Sequence, residues 1–250
     1  MDGTTTATTG PETYNHIEVK PIAGTMGAEL LGVDLAALDD ATFDEVYAAW
    51  LRYQDVVFRD QDISPGRYAE FMTLFGDPVV EDLEPVDDNP PNVGVIHIRP
   101  NEQQKINFWH MDHSFRPTPS PKLSLYAKIL PECGGDTLFV NMAAVLDALP
   151  KATRRKIDGL RVVHSRVKTH PILFPSWPPL TDEEKARMPD AIHPLVRTHP
   201  ETGRKALYVG GNSAWEIEGM PHDEGRALIQ ELRDFATGER FVYAYRWSIG

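Results

Sequence analysis

The chain has 250 residues, of which 41% are hydrophobic, and carries a formal net charge of −12. That apolar content excludes an intrinsically disordered protein, no apolar run is long enough to span a bilayer, and the acidic balance argues against a general nucleic-acid binder. Cys133 is the sole cysteine, which excludes an intrachain disulfide and a cysteine-based zinc site.

Together these features point to a soluble cytoplasmic protein with no nucleic-acid and no membrane partner; a homo-oligomer is left open. Residues 1–16 begin Thr-rich, without the layout of a signal peptide, and read as a disordered leader. From Ile17 onward neither a repeat nor a linker breaks the pattern, so 17–250 reads as one domain. Ile17 to Ile22 alternates like a strand, and Ala28 to Leu35 reads as a second after a turn at Gly24 and Gly27. Asp39 or Asp40 can cap a helix carrying Phe43, Val46, Tyr47 and Trp50. Asp55 to Arg59 is a short strand. Ser64-Pro65 then opens a helix with Tyr68, Phe71, Met72 and Phe75 on its apolar side.

Residues 81–100 are rich in Asp, Glu and Pro around a strand-like Val93 to Ile96, and 99–105 are polar. Such a long segment in a compact domain is either functional or a solvated loop. Further on, Leu123 to Ile129 alternates as a strand, and Cys133-Gly134-Gly135-Asp136 turns into a strand from Thr137 to Val140. Helices are expected over 142–149 and 151–157, and a strand over 160–164. Residues 169–194 hold six prolines around a short charged helix. Strands follow at 193–198 and 205–209, then an amphipathic helix over 221–235 and a final strand over 240–247. Many short strands with turn signals suggest a sandwich or barrel with a few helices outside it.

The chemistry concentrates in Asn107-Phe108-Trp109-His110-Met111-Asp112-His113. If this run is a strand, His110 and Asp112 project from one face, because side chains at i and i+2 share a face. An imidazole and a carboxylate so placed are two thirds of a 2-His-1-carboxylate triad, which holds Fe(II) and leaves coordination positions open. The same seven residues also fit an edge strand whose polar side chains face water. On strand alternation His113 points away from the pair.

From this segment onward the chain resembles the taurine / 2,4-dichlorophenoxyacetate dioxygenase family of Fe(II)- and 2-oxoglutarate-dependent enzymes, nearer its 2,4-dichlorophenoxyacetate branch. The matching residues are Trp109 to Asp112, Pro131 with Gly134 to Thr137, and His193 to Lys205. Gly27 to Glu29, Gly32 to Leu35, Glu218 to Pro221, and Tyr245 to Trp247 with Gly250 match as well. The resemblance implies a mostly β fold with flanking helices, the double-stranded β-helix or jelly roll. It implies Fe(II) as cofactor, with 2-oxoglutarate and O₂ as co-substrates. The implied reaction hydroxylates a small organic acid while 2-oxoglutarate is decarboxylated to succinate. Carried over residue by residue, His110 and Asp112 resemble two iron ligands, and Thr137 resembles the hydroxyl that bonds a carboxylate of 2-oxoglutarate. Read without the resemblance, Thr137 is an ordinary strand start after a Gly-Gly turn. Asn107, His193, Arg197 and Tyr208 are candidate substrate-pocket residues.

One departure stands against these matches. The family pattern continues past the Arg-Trp-x-x-Gly segment to a third-ligand His and a late Arg for 2-oxoglutarate, and the sequence stops at Gly250. The C-terminal strands are therefore expected to be missing, and the 250-residue chain alone is not expected to turn over unless His193 or His199 completes the site. Two rival functions stay open: an inactive binding protein on the same fold, if Gly250 is the true terminus, and a metal-dependent hydrolase using the same His and Asp. Residues 81–105 and 166–192 are expected to be covers that keep water from the iron.

Overall fold

The computed structural model describes residues 13–77, 90–98 and 108–250. In chain order the described residues form β1 (Glu18–Pro21), β2 (Ala28–Leu31), α1 (Asp40–Tyr53), β3 (Val56–Val57), α2 (Pro65–Thr73), β4 (Thr137–Val140), α3 (Met142–Ala148) and α4 (Lys151–Ile157). There follow β5 (Arg161–His164), α5 (Arg166–Leu173), α6 (Asp182–Arg187), β6 (Ala191–Pro194), β7 (Val196–Thr198), β8 (Lys205–Leu207), β9 (Ala214–Ile217), α7 (His222–Ala236) and β10 (Val242–Tyr245). The chain divides into two compact units. The first draws on Met1–His97, Lys122–Phe139 and Tyr243–Gly250, the second on Ile98–Pro121 and Val140–Val242.

In the first unit β1 and β2 pair antiparallel with Val19 opposite Leu30, and β2 pairs parallel to β3 with Ala28 opposite Val56. A parallel pair needs a crossover, and α1 supplies it. Its start is set by Asp39, whose carboxylate accepts the Thr42 N–H at 2.8 Å. The first turn of α2 combines the Ser64 cap on the Arg67 N–H with Pro65, a residue that loses nothing by lacking an N–H there. Ala28, Leu30, Val46, Ala49, Ile63 and Phe71 close the core of this unit. β4 pairs with β10, and Phe139 stacks on Tyr243 there. The leader expected to run to residue 16 is held before that point: the Asn15 and His16 N–H groups donate to the Glu45 carboxylate at 2.7 and 2.8 Å. Residues 1–12 lie outside the described residues.

In the second unit β5 is the central strand of a sheet ordered β6-β5-β9, antiparallel on both sides. Val162 faces His193 on one side and Ile217 on the other, and the β5–β9 register shifts between Val163 and His164. β7 and β8 form a separate hairpin. α7 buries Leu228, Ile229, Leu232 and Ala236, and these close a core with Val145, Leu146, Ile157, Val162, Leu195, Leu207 and Ile217. The strand anticipated over 193–198 is split at Leu195. That residue is fully buried, and its N–H leaves the sheet to bond the Leu160 carbonyl at 2.8 Å.

Three further expectations about strands are corrected. Val93 to Ile96 and Leu123 to Ile129 have the alternation of strands but pair with no other strand among the described residues. The described part of 107–113 is irregular to Met111 and enters a turn at Asp112, with His113 at φ +52°. Conversely, β9 was not anticipated from the sequence. Its four residues are too few to show a period. The short charged helix expected within 169–194 is α6, with a capping box between Thr181 and Glu184, and α5 precedes it unanticipated.

Candidate active site

His110 and Asp112 do converge, although by a turn and not by strand alternation. His110 Nε2 lies 3.7 Å from Asp112 Oδ1. Both side chains are about two fifths exposed, so the pair is open to an ion from solution. His110 Nδ1 lies 3.1 Å from the Phe108 carbonyl oxygen. A carbonyl only accepts, so Nδ1 carries a proton, and Nε2 is the nitrogen turned towards Asp112. This is how a ligating histidine is commonly oriented, with the second nitrogen fixed by a backbone carbonyl. The donor set fits a divalent first-row ion. Two bonds of about 2.1 Å to nitrogen and oxygen donors can span the observed separation. Among the described residues no third His, Cys, Asp or Glu side chain joins the pair.

The turn after Asp112 is fastened to the rest of its unit by groups that the sequence did not single out. Ser114 is fully buried, and its hydroxyl lies 2.6 Å from that of Ser213. Ser213 Oγ lies in turn 2.9 Å from Nδ1 of His164. Burial, with His193 and Arg233 nearby, lowers the His164 pKa to about 3, so its ring is neutral. Gly210 and Gly211 reach this corner with positive φ, +49° and +35°. A Cβ on Gly211 would lie 2.3 Å from the His110 Cα, and one on Gly210 would lie 2.0 Å from the His164 ring. Only glycine permits that approach.

The other candidate residues fall into separate places. His193 on β6 is 4% exposed, and its Nε2–H is shared by the carbonyls of Ser114 and Arg116, each at 3.0 Å. The ring that was expected to contact substrate or to complete a metal site holds the turn in this structure. His199 Nδ1 accepts the N–H groups of Glu201 and Thr202, which folds the hairpin between β7 and β8. Tyr208 is 8% exposed, with the Arg197 guanidinium 4.5 Å above its ring and His193 packed edge-on. Burial pushes its phenol up from the usual range. Thr137 belongs to the first unit, at the start of β4, where its hydroxyl oxygen accepts the indole N–H of Trp247 at 2.9 Å. His113 bonds Ser120 through Nδ1 at 2.6 Å. Asn107 lies outside the described residues.

Residues 18–250 match the model of the family described as taurine catabolism dioxygenase TauD, TfdA family. The chain belongs to that family. It is 30% identical over 250 residues to an (S)-phenoxypropionate/alpha-ketoglutarate-dioxygenase of Sphingobium herbicidovorans, covering 93% of this chain and 84% of the relative. An alpha-ketoglutarate-dependent 2,4-dichlorophenoxyacetate dioxygenase of Cupriavidus pinatubonensis is 38% identical over 142 residues, 57% of this chain and 48% of that one. An alpha-ketoglutarate-dependent sulfate ester dioxygenase of Pseudomonas putida is 31% identical, with 94% and 79% covered. Among solved structures, AAD-2 in complex with Mn(II) and N-oxalylglycine superposes with a TM-score of 0.75 at 30% identity, over 93% of this chain and 84% of that one. The fold is thus the family's jelly roll, mostly β with flanking helices. The chain is a 2-oxoglutarate-dependent dioxygenase, an oxidoreductase whose cofactors are Fe(II) and 2-oxoglutarate. No helix among the described residues is long and apolar enough to cross a membrane.

Proposed function

We propose that His110 and Asp112 hold the Fe(II), and that the chain oxygenates a small organic acid or an organic sulfonate or sulfate ester. The observation that carries this reading is the 3.7 Å approach of His110 Nε2 to Asp112 Oδ1, with Nδ1 tied back to the Phe108 carbonyl. When bound, the iron with 2-oxoglutarate and O₂ supplies the oxidising chemistry that turns a substrate C–H into C–OH while 2-oxoglutarate becomes succinate and CO₂. The chain's own residues bind and orient. Asp112 brings a negative charge to the ion, and His110 brings a neutral lone pair fixed in direction. Thr137 is the proposed contact to a 2-oxoglutarate carboxylate. Its oxygen already accepts from Trp247, which leaves the hydroxyl proton free to donate to an anion. Arg197 is the proposed cation for an anionic substrate, with its guanidinium steadied on the Tyr208 ring. The names of the relatives support the substrate class, since one acts on a phenoxypropionate and another on sulfate esters. A cytoplasmic location belongs to the same proposal, with the single cysteine in its support.

Titration of Mn(II) with the free ion read by paramagnetic resonance, with and without 2-oxoglutarate, tests the reading. Retention should tighten with 2-oxoglutarate and should be lost in His110→Ala and in Asp112→Ala. Unchanged retention in both variants sinks the assignment. A panel of aryloxyalkanoic acids, alkyl sulfonates and sulfate esters, ranked by binding in the presence of Mn(II) and 2-oxoglutarate, then sorts the substrate class.

A further inference from the structure

We infer that Ser213 is a positioning residue for the metal-binding turn: its hydroxyl, linked to Ser114 on one side and His164 on the other, fixes where Asp112 stands relative to His110. The inference rests on the reading of His110 and Asp112 as the metal pair, and it assigns a role to a residue that touches neither of them.

The Asp112 turn is held from within and from several residues outside it. Within it the Ser114 N–H meets the Met111 carbonyl at 3.5 Å, and the Arg116 N–H meets the His113 carbonyl at 2.8 Å. The first is at the outer limit of a hydrogen bond. His113 sits in the left-handed region, which a non-glycine residue occupies only where surrounding contacts hold it. Ser120 bonds the His113 ring at 2.6 Å, and further contacts to the turn come from residues far along the chain. His193 takes the carbonyls of Ser114 and Arg116. Ser213 takes the side chain of Ser114, ninety-nine positions away in sequence. Ser213 is itself 5% exposed and anchored to His164, a fully buried ring on the central strand β5. The same segment sets the other half of the pair, since the Gly211 backbone lies against the Trp109 carbonyl and the His110 backbone. One short stretch, 210–213, thus meets His110 through Gly211 and the Asp112 turn through Ser213. A small movement at Ser213 would change the His110 to Asp112 separation, and partners outside the ligands commonly alter metal affinity by about 10–100-fold.

The test uses the full chain and does not depend on metal for its first readout. Hydrogen exchange of peptides covering 108–116 is followed in the metal-free protein, in Ser213→Ala and in Thr169→Ala. Thr169 is an equally buried hydroxyl in the same unit that bonds the Ser165 carbonyl at 2.6 Å, so it controls for general loss of stability. Ser213→Ala is expected to speed exchange at 114–116 by roughly tenfold, the effect of losing one net hydrogen bond, while Thr169→Ala leaves those amides unchanged. The second readout is Mn(II) affinity, expected to fall about tenfold in Ser213→Ala and to stay at the parent value in Thr169→Ala. Parent-like exchange at 114–116 in Ser213→Ala overturns the inference and leaves the metal assignment standing. Equal effects of the two variants overturn it too, by making Ser213 a stability residue only. If Asp112→Ala binds Mn(II) as the parent does, the metal assignment itself has failed and the positioning role falls with it.

Discussion

The Tyr243 hydroxyl donates a hydrogen bond to the carboxylate of Asp55 in the first unit. The ring of Tyr243 lies over Gly27, where an added Cβ would come within 3.1 Å of the phenol oxygen. Burial pushes the Asp55 carboxyl up to about 6. A carboxyl with a folded pKa above its unfolded value binds its proton more tightly when native. Its contribution to stability is therefore full below about pH 4 and is lost as pH rises from about 4 to 6. Above that window the native state carries a buried charge at a cost of about 1–3 kcal/mol. Asp55→Asn keeps an acceptor for Tyr243 and removes the charge. Urea unfolding should show it more stable than the parent by about that amount at pH 8, with the gain shrinking towards pH 4.5. A gain that does not change with pH would mean that the carboxylate is comfortably ionised beside Tyr243.

Glycine substitution separates backbone strain from collision. Gly203 has φ +67° and open space around its missing side chain, whereas Gly211 has φ +35° and a Cβ added to it would lie 2.3 Å from the His110 Cα. Gly203→Ala should cost only the left-handed conformation, about 1–2 kcal/mol. Gly211→Ala must also displace the segment that carries His110, and should cost clearly more, of order 3 kcal/mol or above. Denaturant midpoints at constant slope check both, and equal costs would mean that the Trp109–His110 backbone yields easily.

Thr137 offers a cleaner test of the 2-oxoglutarate contact when two substitutions are compared. Thr137→Ala removes the hydroxyl and should weaken 2-oxoglutarate binding by roughly 0.5–1.5 kcal/mol, or up to about 3 if the partner is a full carboxylate charge. Thr137→Ser keeps both the proposed donor and the acceptor for Trp247, and should bind nearly as the parent does. Calorimetric titration of 2-oxoglutarate distinguishes them. If Ser and Ala weaken binding alike, the β-branched shape of Thr137 matters and its hydroxyl does not.

What the sequence made legible follows from the range of the interactions involved. Asp39 before α1 and Ser64-Pro65 before α2 are local signals, because a cap and its N–H lie within three residues. Strands depend on a distant partner. Leu123 to Ile129 has the right alternation and still pairs with no strand among the described residues. The His110 to Asp112 convergence was legible from spacing, yet for the wrong local reason: a turn brings the two together where alternation was expected. Ser114 and Ser213 carried no signal at all, since neither belongs to a motif and their contact is purely tertiary. His193 was legible as important, whereas its buried place against the Ser114 carbonyl was not, because burial is not visible in a His-Pro dipeptide.

The last prediction concerns 166–192, read from its prolines as a cover over the iron. Its helices give that reading a definite anchor. Phe174 packs on Trp177 with ring centroids 4.9 Å apart, receives the Arg166 guanidinium at 4.6 Å, and meets the ring of Phe108 edge-on at 6.4 Å. Phe108 is the residue whose carbonyl fixes His110, so the segment reaches the metal pair through one aromatic contact. A cleft of about 250 Å³ remains between α5 and the residues after it, lined by Val167, His170, Phe174, Trp177 and Leu180. The outer helix α6 buries none of its residues and carries Lys185 and Arg187 in its last turn. If the segment closes when the site fills, trypsin should cut after Lys185 and Arg187 more slowly with Mn(II), 2-oxoglutarate and substrate present. Phe174→Ala removes the anchor. It should speed the cut in the empty protein and abolish most of the protection, with a stability loss of about 3–5 kcal/mol for a buried aromatic. Thermal unfolding in the same buffers separates the local effect from global loosening, because cleavage after Arg154 and Arg155 on α4 would then accelerate as well. Identical rates with and without the three ligands, in the parent chain, would make 166–192 a fixed wall of the second unit and remove the cover.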